Sequence, residues 1–583
     1  MKKTWLSAVV VACLLSSTLV VRAQEAEAEE EGGMKPLIVA SIRSFDEVID
    51  DLDFIGKVSD NPDLGQGIEG LLELATQGQG LDMLDKSKPW GFAISSDGLE
   101  LQVLAFLPIN DLEKFATTLG GIAGDPEKSD DGVWKFEILN ISLFMKQSGD
   151  WTFASISGDF LNNLPADPTT FLGGLNKEYD GALRVHMQNI PDVFRQLIID
   201  QLKMGMEQTL AGEELQLPIP GLDSLPGGGL PGADMLPKLT DEQRKLVEAL
   251  SKGQIESLTE ALNETDTITL GFNVDRDGAK LLADAIVIAV PGSKTAEGFA
   301  KMTEGKTKFA GFKIADAAVS AVINEVLSSD QISQAKEAVA TIKEEINTRI
   351  DGIGFGDDHL KDLLKGFVAE LLGIGEKTVD SGKIDLGFAM LGKGPYTILG
   401  GGYISDNDAA TKLLDKLIET VETEVGFYGF QKNVAEHKGV KFSSVLLPIP
   451  PGEEGDLLSK VLGSEVELVI GIGDKAGYIA LGANGLDELK KVIDTSEAEA
   501  GKTVPAIEFS ASLAPLLKLA ADGPNADPNI ALLATALEGH PDRMVVTVKP
   551  IENGVHMHLD GQEGLLRALG TLITSIGPGL PQF

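Results

Sequence analysis

Cysteine is almost missing from this chain. The single one, Cys13, lies inside the N-terminal apolar stretch. If that stretch is removed, no thiol remains. Disulfide staples, Cys-ligated zinc, iron–sulfur clusters and cysteine nucleophiles are then excluded together. Aromatic residues are also scarce, at 5% of the 583 positions, so aliphatic side chains must do most of the packing. Beyond the N-terminus no apolar run approaches the ~20 residues a membrane-crossing helix needs. The strands expected along the chain alternate with amphipathic helices rather than following one another as hairpins, which argues against an outer-membrane barrel. Positive charge is in deficit, with 49 Lys and Arg against 89 Asp and Glu and a net charge of −40. Such a surface repels nucleic acid and anionic headgroups. G-x-S-x-G, a complete P-loop, H-E-x-x-H and a complete dinucleotide fingerprint are all lacking.

What is present begins with Met1-Lys2-Lys3, an apolar run from Trp5 to Val21, and Arg22-Ala23. That order of charge, apolar core and small residue is the pattern of a secretory signal, with cleavage expected after Ala23. Leu14 and Leu15 follow Cys13 directly, which fits ordinary secretion better than lipidation. Residues 24–35 open with the acidic string QEAEAEEEGG and read as a disordered leader. A remaining chain of about 560 residues exceeds what one core usually supports, so several domains are expected.

Hydrophobic periodicity gives an α+β protein, multidomain, with repeated antiparallel hairpin modules packed against amphipathic helices. A first α+β region is expected over 36–262, with a Pro/Gly-rich insertion at 215–238. A second, largely helical, spans 263–382. A third, with two or more strand–strand–helix modules, spans 383–583. Ile268–Val274 reads as a strand and Ala279–Ala289 as a helix. Asn110 or Asp111 is placed to cap a helix that follows it. Trp90, Trp134 and Trp151 sit on or beside strands, where core packing is the default.

Of six histidines, His556 and His558 stand two apart on an expected strand, so their rings share a face. Asp560 has the same parity. These three residues are the candidate ligands for a divalent metal, the one cofactor the sequence suggests. Asp275, Asp277 and Gly278 resemble the start of a calcium loop, but the positions that should follow hold Ala279 and Ile286, so the pattern fails. Ser333 and Lys336 have S-x-x-K spacing without the supporting K-T-G.

The signal at Met1–Ala23, the Trp90-Gly91-Phe92 strand opening, and the strand endings Tyr396–Gly400 and Tyr478–Gly482 before Leu-rich helices resemble uncharacterised secreted planctomycete-type proteins of the domain of unknown function 3352 group. The resemblance implies export and an α+β layout and carries no catalytic residue. The function expected is that of a non-enzymatic exported binding or envelope-associated structural protein, periplasmic or extracellular. Its partner would be an envelope protein or a hydrophobic ligand. The alternatives are a lipid carrier with an aliphatic cavity and a secreted hydrolase without a recognisable motif.

Overall fold

The computed structural model describes residues 34–576 except 76–81, 99, 124–125, 139–140, 163, 193, 197–199, 201–258, 303–304, 353–357, 426–428, 448, 450–451 and 522–527. The signal pattern, nearly all of the acidic leader and the Pro/Gly-rich 215–238 lie outside the described residues.

Among the described residues the architecture is mixed α and β, built on one antiparallel sheet of 20 strands with helices packed against it. The first ten strands are β1 (Lys35–Ile42), β2 (Trp90–Ser96), β3 (Leu101–Leu107), β4 (Glu127–Lys128), β5 (Trp134–Ile138), β6 (Ile141–Ser148), β7 (Trp151–Ser155), β8 (Gly181–His186), β9 (Thr265–Asp275) and β10 (Lys280–Ala289). The second ten are β11 (Val319–Val326), β12 (Lys383–Leu391), β13 (Thr397–Tyr403), β14 (Phe430–His437), β15 (Val440–Leu447), β16 (Val466–Gly473), β17 (Ala476–Leu481), β18 (Ile507–Ser512), β19 (Arg543–Ile551) and β20 (Gly554–Gly561).

Hydrogen-bonded neighbours place them in the order β4-β5-β6-β7-β3-β2-β1-β8-β9-β10, then β20-β19-β18-β11-β12-β13-β17-β16-β15-β14. Each pairing in the first ten strands recurs in the second ten with the strand number raised by ten. Helices recur too: β1 and β11 are each followed by two helices, and β3 and β13 by one. The two sets meet where β10 pairs with β20. Equivalent strands therefore face one another across the seam, and the middle pairs are Asp284 with His558 and Ala285 with Met557.

Local chemistry explains many element ends. Asp111 accepts from the Lys114 amide at 2.9 Å and caps helix Leu112–Ala123. Ser44 caps Phe45–Val58 through the Glu47 amide at 3.0 Å. Ser293 and Asp406 do the same for Lys294–Lys301 and Asn407–Thr420. These oxygens satisfy amides that would otherwise lack partners.

One expected helix is a strand. Lys280–Ala289 forms β10, hydrogen-bonded to β9 on one side and β20 on the other. Its KLLADAIVIA sequence has apolar residues on both faces, so spacing does not separate a helix from a central strand. Ile286, Val287 and Ile288 are β-branched and fit a pleated neighbour on each side.

Two principal cores lie on one face of the sheet. Val39, Ala93, Leu104, Phe106 and Phe153 pack beneath Leu161, Leu172 and Leu175 in the first half. Val322, Ala389, Leu399 and Ala480 pack with Phe309 and Phe312 beneath Leu489, Val492 and Ile493 in the second. Trp151 belongs to the first of these cores, and Trp134 and Trp90 pack on smaller clusters. The halves are also joined by helices. Ile55 and Leu64 pack with Leu566 of Glu563–Ile576, and Arg567 Nη1 reaches Asp60 Oδ2 at 2.5 Å. The helices approach so closely that a Cβ on Gly570 would lie 2.2 Å from Ser59 Oγ, so that position requires glycine.

Candidate functional site

The two faces of the central strands have different chemistry. Their alternation sends every second residue to each face. On the face opposite the two principal cores, the register runs Ala40–Leu183–Leu270–Ala285–Met557–Val548–Ile507–Ile323–Leu386 across nine adjacent strands. A neighbouring row runs Phe272–Ala283–Leu559–Val546–Phe509–Ala321–Phe388–Gly400–Ile479. No charged residue interrupts either row. Leu270, Phe272, Met557, Leu386, Phe388 and Ile479 are each 39–49% exposed. Within the first row Val548 is buried, so the exposed side chains gather at Leu270, Phe272 and Met557 on one side of it and at Leu386, Phe388 and Ile479 on the other; large apolar side chains left this exposed commonly mark a place where something binds. Parts of this face are covered. Leu112, Phe115 and Ala116 of one helix pack over Ala105, Met145 and Ala154 at one end, and Leu566 and Ile573 cover Val274 and Leu281 at a rim.

On the opposite face, at the seam, His556 and His558 project from β20 and Asp284 from β10. His556 Nε2 lies 2.6 Å and His558 Nδ1 2.7 Å from the same oxygen, Asp284 Oδ1. The rings are tilted at 64° with centroids 6.1 Å apart. Burial alone would push the Asp284 carboxyl up, but hydrogen bonds from His558 and His556 outweigh it and hold the group below the ordinary carboxylate range. The Tyr179 hydroxyl also reaches Asp284. Burial first, and then the Asp284 charge, push that phenol up to about 12. Tyr179 is itself fixed, because its ring fills the space where a Cβ on Gly271 would stand. Both ring nitrogens facing Asp284 donate to one oxygen, so neither is set to act as a general base in this arrangement.

The expected pairing of His556 with His558 is therefore present on one face. Asp560 shares that face of β20 but is not in the converging group: its carboxylate is held by Lys280 at 2.8 Å. The group whose ligand atoms converge within 4.8 Å is Asp284, His556 and His558. Asp284 lies 272 residues from His556 in sequence, and only its strand parity, read together with the β10–β20 register, could have found it. Two imidazoles and a carboxylate suit a divalent transition metal.

A second group, Glu47, Asp51 and Asp180, also has the convergence a divalent ion needs. It is all oxygen, and two guanidiniums already stand against it. Arg276 lies 2.7 Å from Glu47 and 3.0 Å from Asp50, and Arg43 lies 2.9 Å from Asp180. Asp51 Oδ1 is buried without a hydrogen-bond partner, its closest recorded cation being Arg276 at 3.8 Å. Burial, reinforced by the Asp180 charge and opposed by Arg276, pushes the Asp51 carboxyl up to about 7. The unfolded value is ~3.9. The contribution of Asp51 to stability is thus fullest below about pH 4, falls as pH rises between those values, and carries the whole cost above pH 7. Asp51→Asn is expected to raise stability at pH 8 by about 1–3 kcal/mol, the gain fading by pH 4. Urea unfolding at the two pH values measures it, and an equal effect at both would contradict this account.

The remaining sequence candidates are structural. Asp275 Oδ1 accepts the Gly278 amide at 2.9 Å, closing the β9–β10 turn. Ser333 and Lys336 lie on helix Ser329–Gly352, with Lys336 paired to Asp380 at 2.8 Å. Among the described residues no helix is long and apolar enough to cross a membrane. No family model, no curated protein and no solved structure matches the chain.

Proposed function

We propose that this chain is an exported, non-enzymatic binding protein that carries a hydrophobic ligand on the uncovered apolar face of its sheet. The observation that supports this is the pair of charge-free rows in which Leu270, Phe272, Met557, Leu386, Phe388 and Ile479 stay exposed. Nine strands at ~4.8 Å spacing give a ledge of roughly 40 Å, long enough to receive an extended acyl chain. Each methylene covered there contributes about 0.8 kcal/mol. The net charge of −40 opposes both a second copy of the chain and an anionic bilayer as occupant. A neutral or zwitterionic lipid avoids that repulsion. In this reading the two ten-strand sets are duplicated modules that together make one continuous ledge, and export follows from the Met1–Ala23 pattern.

Native mass spectrometry of the protein purified from its own cell envelope, followed by displacement of a fluorescent fatty-acyl probe, tests the reading. The expected result is a retained lipid and saturable probe binding. Absence of probe binding together with a retained envelope protein would instead favour the envelope-structural role.

A further inference from the structure

We propose that Asp284, His556 and His558 form a three-ligand site for one divalent transition-metal ion of the zinc class, and that the ion clasps the two halves of the sheet at their seam. The inference is independent of ligand carriage, because the cluster lies on the opposite face of the same strands.

Three features carry it. The ligands are a His-x-His pair on β20 and the carboxylate directly across from His558 on β10, so their backbones are fixed by hydrogen-bonded neighbours on both sides. Their ligand atoms already converge, at 2.6 and 2.7 Å from one carboxylate oxygen. Ligands around a tetrahedral zinc ion with bonds of ~2.0–2.1 Å stand ~3.3 Å apart. The cluster would have to open by about 0.6 Å, a small rotation of the Asp284 side chain. Finally, all three residues are partly exposed, which gives an ion an entry path and leaves a fourth position for water.

The donor set selects the metal. Imidazole with carboxylate favours zinc, copper or nickel over calcium and magnesium, which prefer all-oxygen sites. Binding replaces each N–H···O contact with Asp284 Oδ1 by a metal bond: a neutral ring moves that proton to its other nitrogen, and a doubly protonated ring gives it up to solvent. Tyr179 stands behind Asp284 as an orienting partner, the role outer groups play around bound metals. Neither half holds the full set: Asp284 comes from the first, and both histidines come from the second. An ion bound here stabilises the β10–β20 pairing in a way that no ion bound within one half would.

The test uses the full chain, stripped with chelator and titrated with zinc chloride. One equivalent is expected to bind, with a rise in the unfolding temperature and little response to calcium or magnesium. In His556→Asn/His558→Gln that equivalent should bind at least tenfold more weakly and the thermal shift should vanish. Asp51→Asn should bind as the parent does, which separates this site from the Glu47–Asp51–Asp180 group. A second measurement needs no variant: zinc should protect His556 and His558, but not His437 or His540, from diethylpyrocarbonate, as mapped by mass spectrometry. Absence of zinc binding, survival of it in the double histidine variant, its loss in Asp51→Asn, or unprotected His556 and His558 each overturns the proposal.

Discussion

Phe312→Ala is expected to destabilise the protein by about 3–5 kcal/mol, the range for removing a fully buried phenylalanine ring. Phe312 has no exposed surface. It ends the short turn Ala310–Phe312 and packs beside Phe309, with ring centroids 6.2 Å apart. Its ring occupies a slot made by two glycines that face each other across β12 and β13, Gly387 and Gly401. A Cβ added at Gly387 would lie 2.3 Å from the ring, and one at Gly401 2.7 Å. The glycines are therefore as much a part of the packing as the ring is. Gly401→Ala alone should also destabilise, by about 1–3 kcal/mol, through overpacking. Combined with Phe312→Ala it should cost less than the sum, because the new methyl enters vacated space. Urea midpoints across the four proteins measure this cycle. A Phe312→Ala protein within 1 kcal/mol of the parent would show that the turn is not tied to the sheet as described.

The second large effect concerns the proposed ledge. Leu386→Asp and Met557→Asp are each expected to weaken fatty-acyl probe binding by about 10- to 100-fold. The loss follows from ~1.5–3 kcal/mol of side-chain burial surrendered to the ligand, with a carboxylate left against a hydrocarbon chain. Both side chains are a little under half exposed in the free protein, so each substitution should also lower stability, by about 1–2 kcal/mol, which urea unfolding separates from the loss of affinity. Phe312→Ala serves as the contrast, since it disturbs the opposite face. Unaltered probe affinity in both aspartate variants, with circular dichroism unchanged, would remove the apolar face from any role in binding.

Much of the local structure was legible before the fold was known. Alternation gave β2, β12 and β17, and helical spacing gave Phe45–Val58 and Glu563–Ile576. Asn110 or Asp111 is expected to cap because a short side-chain oxygen before an apolar periodic run has few other local uses, and Asp111 is the one that does. Alternation did not say which face would be covered. In β12 the larger side chains, Leu386 and Phe388, point outward, while Asp385, Gly387 and Ala389 are buried. The aromatic that fills the space above Gly387 comes from 75 residues earlier in the chain, and nothing local announces it. Ala279–Ala289 has the spacing of a helix for the same reason: its neighbours on both sides, not its own spacing, make Lys280–Ala289 a strand. The correspondence of strands raised by ten lies in pairing rather than in residue choice, so spacing does not reveal it; the alike Tyr396 and Tyr478 segments belong to β13 and β17, both within the second ten strands.

The sequence by itself determined charge, the scarcity of thiols, the period of most elements and the shared face of His556 with His558, because these depend on composition or on residues a few positions apart. Tertiary structure alone decided that β10 meets β20, that Asp284 rather than Asp560 joins the histidines, and that, among the described residues, large apolar side chains such as Leu386 and Met557 stay exposed on one face. Those outcomes depend on contacts between segments hundreds of residues apart. Their register is fixed by many weak packing energies acting together, and no single stretch of sequence carries that sum.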